Sequence, residues 1–462
     1  MKFITIPYQL DTDFVAKNES ATHPRPSLPV FSQVDEELVK PEDIPLNRRN
    51  FIYTPCSANP LFRTLKYATS EYPFDVAGFN YMDRAEDMSV LPPLNNAIGV
   101  PKLLGWRTAR CDACIKEGTV YWEVDILKND ELDLSPDADL KSLKDKINSM
   151  PNLRFGVSRR EASLECPVGF DLYGYGIRNF SLESIHDGKM AQELPSGQIK
   201  AGDRLGFVLH LPSTESQIAQ ARDFTEFKIA ALSTPVENSA DAPVKKRAKK
   251  LAREFQKDLL RDQDLSNIIR DQIAIRYKNQ LFFEATDYVK TTKPEYYTSD
   301  KRERQDFYSL KDSFLKVFLN GQELGVAFEQ LKPFLPPFSE LKYNEKLYFN
   351  YWRNETGGSA EGDDVQNKVD HKRRPHSILK NKYVNNGRLG YYPTVSCFNG
   401  GSAKLLTAIN DFKHWDAIRA TMPELKPAND IFQEQIADDI VWDIIDEVEA
   451  ELLSDNEPLA LI

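Results

Sequence analysis

The sequence predicts a mainly β protein: an antiparallel β-sandwich with helical or irregular insertions and a C-terminal amphipathic α-helix. Three observations carry that expectation. Aromatic residues form 11% of the 462-residue chain, with 26 Phe, 19 Tyr and 5 Trp, and aromatic side chains favour strands. Short apolar runs recur between turn signals, the pattern of half-buried strands. Asn320-Gly321 joins two such runs, and both residues tolerate the positive φ of a tight hairpin.

Taken in order, residues 1–45 hold many Pro, Thr, Ser, Asp and Glu, which predicts an irregular leader. From Phe51 the runs take over: Thr119 to Ile126, Leu153 to Val157, Arg204 to His210, Leu315 to Leu319, and Gly325 to Phe328. Each alternates in part, as a strand with one buried face does. Together they predict a sandwich over 46–418. Two inserts interrupt it. The first, about 236–270, is helical in composition and carries Lys245, Lys246, Arg247, Lys249 and Lys250. The second, about 354–382, begins rich in Gly and acids and ends basic, with Lys372, Arg373 and Arg374. No fixed-period repeat occurs, which argues against a propeller or solenoid.

Residues Ile431 to Leu453 contain no Gly or Pro and predict a helix within 428–455. Steps of three and four place Ala437, Val441, Ile444, Ile445, Val448 and Leu452 on one face. Asp439, Asp443, Asp446, Glu447 and Glu449 mostly cover the other. Two readings stand: the apolar face packs on its own domain, or it enters a groove on a partner. The position beyond Pro423 and Pro427, and a seam rich in β-branched residues, favour the second.

Charge sets this segment apart. The net charge is -11, from 59 basic and 70 acidic residues. Eleven acids and no bases follow Pro427, so the rest of the chain is neutral, with 59 of each sign. Such asymmetry predicts a separate C-terminal module.

Several classes are excluded. No run of about 18 apolar residues exists, so no membrane-spanning helix is expected. Five Cys fit a reducing compartment rather than a disulfide framework. Cys111-Asp112-Ala113-Cys114 is a CxxC, but a structural zinc site needs four ligands, usually from a second such pair. Cys56, Cys166 and Cys397 stand alone, and the six His are scattered. No nucleotide, hydrolase or metalloprotease motif is present. The expectation is a non-catalytic chain with neither metal nor cofactor. The basic stretches keep three readings: a solvated helix face, a nuclear localisation signal, or contact with nucleosomal DNA.

The strand motifs resemble a SPRY domain. Gly118-Thr119-Val120-Tyr121-Trp122-Glu123-Val124, Arg154-Phe155-Gly156-Val157-Ser158, Gly202-Asp203-Arg204-Leu205-Gly206, Phe318-Leu319-Asn320-Gly321 and Tyr391-Tyr392-Pro393-Thr394-Val395-Ser396 follow the order of its signature strands. Met82-Asp83-Arg84-Ala85, Pro167-Val168-Gly169-Phe170-Asp171 and Tyr175-Gly176-Ile177-Arg178 narrow the resemblance. They are similar to the SPRY subunit of COMPASS, the Set-one-type histone H3 methyltransferase complex, in the fungal form of its Bre-two/Ash-two family.

That resemblance implies a nuclear scaffold that supports methylation of histone H3 lysine four without catalysing it, S-adenosylmethionine being held by another subunit. It implies a site for an acidic segment of a Swd-one/RbBP-five-type β-propeller subunit at Arg110, Pro167, Phe170 and Arg178. Phe170 stands where the family has Tyr, so packing is kept and a hydroxyl lost. It implies docking of a Dpy-thirty/Sdc-one-type helical dimer on the C-terminal helix, assembly with a Set-one-type catalytic subunit, and access to the nucleosome through the complex. The alternative is a SPRY substrate adaptor, for example for a ubiquitin ligase. Such adaptors usually add a RING, B-box or SOCS-box, and no such segment is visible here.

Overall fold

Two antiparallel sheets enclose one core. The larger, of ten strands, is built on Gly118–Lys128, which pairs with Arg204–Leu211 on one side and Ser402–Leu406 on the other. Phe314–Leu319 and Gln322–Glu329 extend it beyond Arg204–Leu211. The second sheet has seven strands, ordered Lys189–Ala191, Ser184–His186, Gly174–Arg178, Asn152–Ser158, Tyr392–Phe398, Arg107–Cys111 and Phe79–Arg84. Alternation turns Val120, Trp122, Val124 and Ile126 of the first inward, where they share one buried cluster with Leu153, Phe155 and Val157 of the second. Trp122 stacks on Phe207 at 5.5 Å. A smaller sheet of five strands holds Phe51–Ala58, Tyr67–Thr69, Gln272–Tyr277, Gln280–Tyr288 and Lys342–Tyr343. The molecule is known from a computed structural model that describes residues 28–46, 51–70, 74–93, 95–129, 146–233, 270, 272–278, 280–288, 308–335, 338–339, 341–343 and 386–456.

The strand runs of the sequence lie in these elements, and so does the hairpin. Leu319 pairs with Gln322 across a two-residue turn, with φ of 51° at Asn320 and 83° at Gly321. Two glycines shape the seven-stranded sheet. Gly156 pairs with Gly176, and a Cβ on Gly176 would stand 2.4 Å from the Val168 carbonyl oxygen. The missing side chain lets the Pro167–Phe170 turn lie flat on its strand.

The described end of the leader, from residue 28, holds two short strands where an irregular course was expected. Phe31–Gln33 and Val39–Pro41 pair with each other, and Val39 pairs with Val90, so this segment edges the larger sheet. Strands of three residues are too short for periodicity to register. A buried arginine adds to the attachment: Arg84 donates to the carbonyls of Pro41, Ala85, Glu86 and Met88. Most of the basic insert and all of the charged insert fall outside the described residues.

Three helices are long enough to name among the described residues: α1, Thr214–Ser233; α2, Trp415–Arg419; and α3, Ala428–Asn456. Helix α1 was not expected: it is a polar segment seated by the buried Gln217, whose amide donates to the carbonyls of Lys116 and Pro212. Before α3 the chain runs as Leu425–Pro427, parallel to Gly118–Lys128. None of the described helices is long and apolar enough to cross a membrane.

Arg110 lies wholly inside this frame. It grips Asp83 through Nε at 2.8 Å and Nη2 at 2.7 Å, and donates to the carbonyls of Arg159, Arg160 and Ala162. Replacing it by Leu takes its bidentate partner from the buried Asp83, leaving Arg160 at 4.0 Å. Arg110→Leu is therefore expected to lose about 3–5 kcal/mol of stability, read from the midpoint of denaturant unfolding.

Asp112 is the converse case, a buried acid whose desolvation outweighs the support of Gly78, Asn80 and the charge of Arg160. Burial pushes its carboxyl up to about 7. Gly78 N–H reaches one oxygen at only 3.5 Å, and the other oxygen has no partner. The folded chain thus holds a proton that the unfolded chain releases near the ordinary carboxyl value of 3.8. Between those values the native state binds more protons, so stability falls as pH rises. Melting temperatures from pH 5 to pH 8 should show a downward contribution in the wild type that Asp112→Asn removes.

Candidate docking sites

Helix α3 begins as an ordinary core helix. Ala428, Ile431 and Phe432 are buried, and Ile431 and Phe432 join the main cluster. Asn429 fixes its start, accepting from Ala77 N–H at 2.9 Å and donating its own N–H to the Thr407 carbonyl. One turn on, Gln435 is buried against the CxxC loop. Its carbonyl oxygen accepts from Cys114 N–H at 2.5 Å and its amide donates to Asp112 O at 3.1 Å. The CxxC is thus a packing element. Burial pushes both thiols well up, and among the described residues no group of three or more His, Cys, Asp or Glu is placed to hold a metal.

Beyond Gln435 the inward face changes from hydrocarbon to carboxylate. Asp439 pairs with Arg388 and, at 3.5 Å, with Arg270. Asp443 is buried; it meets Arg270 at 2.9 Å and accepts from Thr69 N–H at 2.6 Å and Thr69 Oγ1 at 3.2 Å. Asp446 reaches the other end of the same guanidinium at 3.2 Å. Glu447 accepts three consecutive backbone N–H groups, from Arg63, Thr64 and Leu65. Arg270 is itself only 4% exposed. Burial pushes the Asp443 carboxyl up, while Arg270 and Thr69 pull the other way.

The hydrocarbon faces outward. Val441 is 54%, Ile444 53%, Val448 49% and Leu452 59% exposed, and Ala437 is exposed with them. Ile445, by contrast, is half-buried. The two faces fall where the periodicity divides them, but it is the acidic face that turns toward the domain. The side chain of Glu449 lies outside the described residues.

The second site is a cavity of about 140 Å³ on the seven-stranded sheet, lined by Trp106, Asn148, Asn152, Arg154, Arg178 and Phe398 among others. Arg154 and Arg178 are direct cross-strand partners, so two like charges stand abreast. Arg178 pairs with Glu183 at 2.6 Å. Arg154 stacks its guanidinium 5.0 Å from the Trp106 ring centre, and its buried Nε has no hydrogen-bond partner. Burial first, and Arg178 second, lower its pKa to about 10. The negative charge of an anion entering here would offset the repulsion between the two guanidinium groups.

The four residues assigned to a propeller contact do not all meet. Arg178 lines the cavity. Pro167 and the exposed Phe170 sit on a turn whose Gly169 carbonyl accepts from Gly188 N–H, beside the hairpin that also brings Met190 to Arg178. Arg110 is absent from this surface, because it is consumed by Asp83 and three carbonyls inside the core. The second arginine of the cavity is Arg154. Its signal was in the sequence: Phe155 and Val157 point inward, so alternation turns Arg154 outward on that strand. Lys245, Lys246, Arg247, Lys249, Lys250, Lys372, Arg373 and Arg374 lie outside the described residues.

No family model matches the chain. Among known proteins it is 48% identical to the COMPASS component BRE2 of Saccharomyces cerevisiae, over 97% of this chain and 99% of that one. It is 27% identical to the COMPASS component cclA of Emericella nidulans and 26% identical to the Set1 complex component ash2 of Schizosaccharomyces pombe, covering 88% and 92% of this chain but only 60% and 50% of those longer proteins. A crystal structure of a human SPRY domain aligns with 71% of this chain and 96% of its own at a TM-score of 0.26 and 8% identity; the assignment leans on the sequence relatives alone. Nearly end-to-end agreement with BRE2 establishes that the chain belongs to the BRE2/Ash2 family of COMPASS components.

Proposed function

We propose that this chain is a non-catalytic, architectural subunit of a Set1/COMPASS-type complex that methylates histone H3 lysine four in the nucleus. One observation carries the reading: a helix locked to its domain by carboxylates and presenting Ala437, Val441, Ile444 and Val448 outward. Such a stripe fits the apolar groove between two partner helices, and a Dpy-thirty/Sdc-one-type dimer supplies one. The seat holds the helix folded before the partner arrives, so binding is spared most of the ordering cost.

The Arg154–Arg178 cavity serves a second partner, an acidic segment of a propeller subunit. Two guanidinium groups and one carboxylate leave a net positive site, and guanidinium forks suit carboxylates and phosphates. Phe170 adds an apolar contact on the neighbouring turn. With both partners in place the chain fixes their geometry for a Set-one-type catalytic subunit and contributes no chemical group of its own. Contact of the basic inserts with nucleosomal DNA belongs to the same reading, supported only by their charge.

Size exclusion with light scattering tests the first contact. The purified chain should form a complex with the dimer that is lost when residues 428–456 are removed. Val448→Asp places an unpaired charge in the groove and should weaken binding by about a hundredfold or more; wild-type affinity would refute the assigned face. At the second site, Arg154→Glu should weaken binding of the propeller subunit's acidic segment at least about tenfold while the thermal midpoint stays near wild type. Calorimetric titration of the two proteins reads that outcome, and unchanged affinity would remove Arg154 from the site.

A further inference from the structure

The loop Asn59–Lys66 lies against the C-terminal half of α3, with Glu447 as the attachment. Its carboxylate accepts from Arg63 N–H at 2.5 Å, Thr64 N–H at 2.7 Å and Leu65 N–H at 2.8 Å. The loop is closed on itself. Asn59 N–H donates to the Lys66 carbonyl at 2.9 Å, and Asn59 in turn accepts from the N–H groups of Leu61 and Phe62 at 3.0 Å each. Phe62 is buried. The two leucines turn the other way: Leu61 is 78% and Leu65 38% exposed.

Helical geometry locates this loop relative to the apolar stripe. At about 100° per residue, Ile444 stands about 60° and Val448 about 100° around the helix from Glu447, in the same sense. Asp443 and Asp446 lie in the opposite sense, toward Arg270. Glu447 is therefore the boundary between seat and stripe, and the loop runs along one edge of the exposed hydrocarbon.

We propose that Leu61 and Leu65 form a second strip of the docking surface, so that the partner which takes the helix also closes over this loop. The proposal rests on the reading that α3 enters a groove between two partner helices. Packed helices lie about 8–10 Å apart, so a groove wall on the Glu447 side passes over the loop. The occupant is a helical pair with an apolar groove and a basic rim, because the segment beyond Pro427 carries eleven acids and no base; beside the stripe, Glu434 faces Lys426 and Asp438 faces Lys116 at the domain's edge. The loop's own hydrogen bonds keep its leucines in place, so little freedom is lost on contact.

Titration calorimetry with the full-length chain and the Dpy-thirty-type dimer decides the matter. Leu61→Ala combined with Leu65→Ala should weaken binding about tenfold, with the thermal midpoint unchanged. Leu61→Asp, a single change at a site 78% exposed, should do the same or more. Wild-type affinity in both loop variants, with binding lost in Val448→Asp, overturns the loop proposal and leaves the helix reading standing. Wild-type affinity in the loop variants and in Val448→Asp overturns the helix reading itself.

Discussion

A guanidinium held among carboxylates turns the C-terminal helix over. Arg270 meets Asp439, Asp443 and Asp446, and Glu447 collects the amides of a neighbouring loop. An amphipathic helix ordinarily buries its hydrocarbon and wets its charges. Here the first turns obey that rule through Ile431 and Phe432, while in the later turns the most buried side chains are Asp443 and Glu447. A buried ion pair is weak support for stability, since desolvation offsets most of the attraction. Its effect here is directional: with the seat built of cations and N–H donors, Val441, Ile444, Val448 and Leu452 are left outside.

The same chemistry recurs through the sandwich. Arg84, Arg110 and Arg159 are buried, and each ties loops to a sheet by donating to backbone carbonyls. Arg110 and Arg159 also pair with a buried acid, Asp83 and Glu161. Arg154 differs in its surroundings. It shares one flank with Arg178, rests on an indole ring, and lines a cavity open to the surface.

What the chain disclosed as text follows from this contrast. The strands Gly118–Lys128, Asn152–Ser158, Arg204–Leu211, Phe314–Leu319 and Gln322–Glu329 left alternation that could be read, and Asn320-Gly321 specified its own turn. The helix and both of its faces were legible because a period of 3.6 sorts residues by side. Which side faces the domain was not, because it depends on Arg270 and on the amides of residues 63–65, distant in the chain. Arg110 was misplaced for a related reason. A motif position shows that an arginine matters; only the tertiary fold shows Asp83 and three carbonyls closing around it.

The cysteines provide a built-in clock for local opening. Cys56, Cys111, Cys114 and Cys397 are buried, and Cys166 is only partly covered. A thiol reacts as its thiolate and only when solvent reaches it, so alkylation of the buried four measures excursions from the native state rather than ground-state chemistry. Their positions divide the molecule: Cys56 lies in the small sheet, Cys111 and Cys397 in the seven-stranded sheet, and Cys114 against Gln435 under α3. Labelling rates at Cys114 and Cys397 therefore separate lifting of the helix from breathing of the sandwich, in an unmodified chain.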